Sequence, residues 1–99
     1  PETNEYAREL VDLVETNRER IDEVLSTYAH QWPVARMPAV DRVITRVAVA
    51  ELLYLEQVQS AVAVSEAVEI AGLLSTDESA TFINGLLGAV ASVRDRIAG

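Results

Sequence analysis

Hydrophobic positions recur at intervals of three and four along most of this chain, the spacing that lines one side of an α-helix. Tyr6, Leu10, Leu13 and Val14 form the first stripe. It follows Thr3 and Asn4, whose side chains can accept bonds from the unpaired amides of a first helical turn. Thr16-Asn17-Arg18-Glu19 has the spacing of a capping box, in which Thr16 and Glu19 satisfy each other's free amides, and predicts that a second helix starts at once. Ile21, Val24, Leu25 and Tyr28 are its stripe. The pattern breaks at Trp32-Pro33 and Met37-Pro38. Proline has no amide proton and disfavours helix in the residue before it, so residues 30–37 read as a connection.

Pro38 suits the first turn of a third helix, in which Val40, Val43, Ile44, Val47, Leu52 and Leu55 continue with few polar interruptions after Arg46. This helix is predicted to be central and largely buried. The alternation in Val47-Ala48-Val49-Ala50 and Ala61-Val62-Ala63-Val64 also fits strands, but the flanking stripes keep the helical period and favour helix. Ser60 can cap a fourth helix bearing Val64, Ala67, Val68 and Ala71, ending between Gly72 and Leu74. Glu66 and Glu69 share one of its faces, a solvated one. Ser75-Thr76-Asp77-Glu78 offers another capping box, leading into Phe82, Ile83, Leu86, Leu87, Val90, Val93 and Ile97, the clearest stripe in the chain. Gly85, Gly88 and Ala89 read as small residues that let this last helix approach a neighbour, at about 1 kcal/mol of helix propensity per glycine.

Composition narrows the chemistry. Ninety-nine residues, 49% of them hydrophobic and 24% charged, make one small folded domain, residues 1–99, rather than a disordered chain. The absence of cysteine removes disulfides, thiolate nucleophiles and cysteine-held zinc. His30 is the only histidine; beside Trp32 and Pro33 it is an ordinary loop residue rather than a pH sensor. Neither a metal nor a cofactor is expected, and Glu66 and Glu69 have no nucleophile or ligand beside them to make a catalytic pair. Sixteen acids against eight arginines give a net charge of −8, which opposes binding to phosphate backbones unless the cations gather on one face. Eight of the acids fall in the first 23 residues and read as two solvated helix faces. The longest uncharged stretch, Ser79 to Val93, falls short of the ~20 apolar residues of a membrane span. A soluble protein without a secretory signal is expected, and a start at Pro1 reads as processed or truncated.

Asp41-Arg42-Val43-Ile44-Thr45-Arg46, Glu51-Leu52, the run from Val62 to Ala71, and Phe82-Ile83-Asn84-Gly85-Leu86-Leu87 occur in this order. With Ile21-Asp22, Trp32 and Pro38-Ala39-Val40 upstream, they resemble the NusB family along nearly the whole chain. The resemblance implies an all-α, orthogonal bundle of about five helices, corresponding to the family's C-terminal subdomain without the usual N-terminal subdomain and its arginine-rich segment. It implies a cytoplasmic transcription antitermination module, not an enzyme, that binds boxA RNA together with the ribosomal protein NusE during ribosomal RNA synthesis. Two rivals stand beside it. One is the NusB-like RNA-docking domain of a ribosomal RNA cytosine methyltransferase, which predicts a following catalytic domain where this sequence ends at Gly99. The other is a helical module that contacts proteins alone.

By matching position, the resemblance places Glu78, Thr81 and Phe82 in an RNA-proximal segment, and Asp41, with Arg42 beside it, on the NusE surface. It also shows departures: Thr45 replaces a usually apolar residue, Gln59 a frequent proline and Gly72 a common lysine. The residues themselves allow plainer roles, with Phe82 in the core, Glu78 as a capping acid, and Arg42 and Arg46, four apart, gripping an anion or making internal salt bridges. Arg46, next to the most apolar part of the chain, is expected to pair with Glu51 or Glu66. Arg94 and Arg96 complement the negative end of the last helix. Apolar faces left open by a missing subdomain predict a homodimer or a self-associating monomer.

Overall fold

The computed structural model describes residues 2–30 and 32–97, with side chains from Glu5 onward. The helices are α1 (Glu2–Thr16), α2 (Arg18–Tyr28), α3 (Ala39–Tyr54), α4 (Ser60–Leu74), α5 (Asp77–Ser92) and a single turn, α6 (Arg94–Ile97). The described residues contain no strand, so the helical period prevails over the β-branched alternation. The predicted last helix is two: the chain turns at Val93, and the short α6 follows. Residues 30 and 32–37 lie outside the α-helices, within the predicted connection, with a 3-10 turn at Val34–Arg36.

Helix α3 lies at the centre because its apolar positions wrap more than one face. Ile44, Ala48, Val49 and Leu52 are buried among Ile21 and Leu25 of α2, Ala63, Ala67 and Ala71 of α4, and Ile83, Leu86, Leu87 and Val90 of α5. Alanines four apart along α4 give it a flat side, and α4 packs most extensively against α5. The small residues that permit close approach are therefore on α4. A methyl group added at Gly85 or Gly88 would meet nothing within 4 Å, so these glycines lie on an open face and do not admit a neighbour, contrary to the sequence reading.

The helix ends differ from prediction by a residue or two. Helix α1 continues through Thr16, and α2 starts behind Asn17 without a side-chain cap. Asn17 instead closes α1, its Nδ2 donating to the Leu13 carbonyl at 2.9 Å, so Thr16 and Glu19 form no capping box. Thr3 and Asn4 lie inside α1, and their side chains are outside the described set. Gln59 rather than Ser60 precedes α4. At α5 the cap is Thr76, whose Oγ1 accepts from the Ser79 amide at 2.9 Å, one residue on from the predicted Ser75–Glu78 pairing.

Two arginines find partners far away in sequence. Arg46 pairs with Asp22 and not with Glu51 or Glu66, its Nε and Nη2 each donating to a carboxylate oxygen at 2.9 Å. Arg94 does not serve its own helix. Its guanidinium donates to the carbonyls of Leu52 (2.7 Å), Leu55 (2.9 Å) and Val58 (2.6 Å) and to Ser60 Oγ (3.1 Å). These include carbonyls that the end of α3 leaves without intrahelical donors.

Candidate functional site

The cap at Thr76 sets where α5 begins and hence which residues its first turns present. Glu78, Thr81 and Phe82, spaced three and four apart, fall on one side. There they line a cleft of about 530 Å³ together with Trp32 of the α2–α3 connection. Phe82 is half-buried against the core, and its ring meets Trp32 edge-on, with centroids 5.2 Å apart and planes at 72°. Glu78 is exposed near the positive end of α5, a favourable place for a carboxylate. Thr81 Oγ1 donates to the Asp77 carbonyl at 3.0 Å, leaving its lone pairs available. The three residues picked out by resemblance thus share one cleft, and Phe82 belongs to both core and cleft. Trp32 was not among the sequence-derived candidates. Its only local signal was an aromatic side chain held in a connection by Pro33.

Asp41 and Arg42 part company. Asp41 is 0% exposed, and both its carboxylate oxygens lack a hydrogen-bond partner among the described residues. The cause is local. Asp41 occupies the third position of α3, from which an acid can reach back to the amide of the capping residue, but that residue is Pro38, which has no N–H. Thr45, also fully buried, satisfies its hydroxyl on the Asp41 carbonyl at 2.8 Å, so a polar residue is accommodated at a usually apolar position. Arg42 faces the other way, into a cleft of about 550 Å³ that it shares with Asp22, Ser26, Val34 and Arg46. Because Asp22 occupies Arg46, the two arginines are not equivalent there.

A third feature was foreseen only as an open apolar face. Tyr6 and Leu10 of α1, Val40, Val43 and Val47 of α3, and Ile70 and Leu74 of α4 line a groove of about 580 Å³. Val43 is 59% exposed and Leu74 66%, an apolar surface of the kind that marks an interaction face. Glu51 is buried at the groove, its Oε2 accepting from the Tyr6 hydroxyl at 2.7 Å. Desolvation first, then this hydrogen bond and the nearby charges of Glu51, Glu66 and Glu9, push the Tyr6 pKa up to about 12. Tyr6 as a whole is 40% exposed, and its hydroxyl is the end that meets the buried Glu51. Among the described residues, no three His, Asp or Glu side chains gather as a metal site, and no helix is long and apolar enough to cross a membrane.

A model of the NusB family matches residues 1–92. The chain belongs to the NusB family. It is 58% identical over 91 residues to the transcription antitermination protein NusB of Leifsonia xyli subsp. xyli, covering 92% of this chain and 63% of that protein. The protein of the same name from Kineococcus radiotolerans is 53% identical over 97 residues, covering 98% and 71%. Among solved structures, T. maritima NusB superposes with a TM-score of 0.88 at 34% identity, covering 93% of this chain and 65% of that one. The chain therefore spans about two thirds of the length of these NusB relatives. The all-helical fold expected from the resemblance is shared with T. maritima NusB.

Proposed function

We propose that this chain is the helical module of a cytoplasmic transcription antitermination factor, an adaptor and not a catalyst, that holds boxA RNA and NusE together on the transcribing polymerase. The observation that carries this reading is identity of up to 58% with proteins named transcription antitermination protein NusB along nearly all of the chain. The cleft of Glu78, Thr81 and Phe82 supports it on the RNA side, because aromatic rings and hydrogen-bonding groups are what unpaired bases require. On the protein side, Arg42 offers a donor to a carboxylate of NusE. Asp41, buried with two unpaired oxygens, can take part in that surface only indirectly, beneath the neighbouring Arg42. A net charge of −8 makes unaided binding to an RNA backbone weak and favours RNA binding shared with NusE.

The test is anisotropy of labelled boxA RNA at low and high salt, with and without NusE. Binding that requires NusE is the expected outcome. Tight binding without NusE that falls steeply with salt would point to a backbone-binding protein instead. No binding in either condition would leave this module with protein contacts only.

A further inference from the structure

We infer that the groove between α1, α3 and α4 docks an amphipathic helix of a partner protein, which lays an apolar stripe along the groove and directs a basic side chain to Glu51 and Glu66. The shape comes first. The α3 residues that line the groove run from Ala39 to Glu51, roughly 18 Å of helix at about 1.5 Å per residue. Buried Ala48, Ala63 and Ala67 give it a flat floor, and the larger Val43, Ile70 and Leu74 around them are exposed. A trough of that length fits a rod of about three helical turns better than a compact ligand. Most of its lining lies inside helices, where amides and carbonyls are already bonded. An occupant therefore finds few main-chain partners there and must satisfy its own backbone, as a helix does.

Charge at one end of the trough selects the partner's polar group. Glu51 is buried, and among the described residues its carboxylate has one hydrogen-bond partner, the Tyr6 hydroxyl on Oε2 at 2.7 Å. Arg94 reaches the Glu51 main-chain carbonyl, 3.4 Å away, and not its carboxylate. Glu66 brings a second, exposed carboxylate, and no cation lines the groove. The raised pKa of Tyr6, due first to desolvation and then to its bond with Glu51 and the charges of Glu51, Glu66 and Glu9, reports the same negative potential. A carboxylate with one neutral donor has acceptor capacity left. A guanidinium or ammonium brought over it, among apolar contacts that exclude water, makes a charge-assisted bond. A helix without a cation would dry the site and leave that capacity unmet. The groove shares no lining residue with the cleft at Phe82 or the one at Arg42, so this partner is an addition to those of the adaptor reading.

The probes are two labelled peptides of about three to four helical turns, with leucine and alanine at helical spacing along one face. One carries a central arginine and the other glutamine in its place. By anisotropy the arginine peptide is expected to bind about tenfold more tightly, the size of effect expected of a charge-assisted bond. The preference should persist at high salt, because an enclosed pair is screened little. General attraction of a cationic peptide to a chain of net charge −8 would fade instead. Glu51→Gln, whose amide oxygen can still accept from Tyr6, combined with Glu66→Gln should bring the two affinities together. Glu66→Gln alone, at an exposed position that leaves the fold intact, should remove part of the preference. Val43→Lys, at a position already 59% exposed and confirmed folded by circular dichroism, should weaken both peptides. Saturating arginine peptide should hold the chain monomeric in sedimentation velocity. Equal affinities, a preference lost at high salt, a preference that survives the double variant, or binding unchanged by Val43→Lys would overturn the assignment. So would a chain that sediments as a stable dimer and takes up neither peptide, since a second copy then fills the groove.

Discussion

Tyr6 places its hydroxyl against the buried carboxylate of Glu51, and the folded phenol holds its proton to about pH 12 against 10.0 for an unperturbed tyrosine. An unfolded chain would release that proton near pH 10. Between these values the unfolded state binds fewer protons than the folded one, so stability falls as pH rises. The contribution is whole below pH 10 and lost by about pH 12. Denaturant melts at pH 9 and pH 11 should therefore show a smaller alkaline loss in Tyr6→Phe than in the parent; equal losses would mean that the phenol is not the group responsible. The Asp22–Arg46 pair, whose side chains are 32% and 20% exposed, sits where solvent screens much of its charge. Its bidentate geometry makes it a spacer between α2 and α3 more than a large source of energy. Asp41 is the residue whose cost is not met by any side chain or backbone group among the described residues.

At the scale of elements, α3 ends where α6 begins to matter. Arg94 reaches from α6 to the carbonyls of Leu52 and Leu55 and to Val58 in the loop that follows, so the last turn of the chain caps its central helix. Arg94→Ala should cost about 3 kcal/mol in a urea melt, because several carbonyls lose a charged donor at once. Arg94→Lys should recover little of it, since a compact ammonium cannot span the positions that the planar fork reaches. Full rescue by lysine would reduce the role to charge alone. The glycines of α5 point the other way. With open space where a methyl would go, Gly85→Ala and Gly88→Ala should each raise stability by about 0.5–1 kcal/mol through helix propensity. Destabilisation by either would restore the close approach expected from the sequence.

The whole molecule carries two surfaces of opposite character, an acidic exterior and one apolar groove between α1, α3 and α4. An open groove lined by Tyr6, Val43, Ile70 and Leu74 lends support to the self-association expected from the sequence, because covering it removes apolar area from water. Sedimentation velocity should show a concentration-dependent shift over the micromolar range. Val43→Glu, at a position already 59% exposed, should abolish the shift without loss of helix content. A parent chain that sediments as a monomer throughout would rule out self-association in that range. High salt should strengthen the association by screening the net charge of −8, the opposite of its effect on phosphate binding.

Helix existence was legible in the sequence because the apolar period of a helix is a local property, visible from Leu10 and Val14 through to Val90 without knowledge of any neighbour. The shared side of Glu78, Thr81 and Phe82 was legible for the same reason, since residues three and four apart on a helix must lie together. The helix boundaries were less so. Ser75, Thr76 and Asp77 are all competent caps, and the direction in which the chain enters α5, which is a tertiary matter, selects Thr76. What only the folded structure decided are the meetings between elements: Trp32 with Phe82, Arg46 with Asp22, Arg94 with the end of α3, and Tyr6 with Glu51. Their partners lie 24 to 50 residues apart in sequence, beyond the reach of any periodicity. Distance and burial in the packed molecule set which charge is neutralised, which ring stays open and which apolar face is left uncovered.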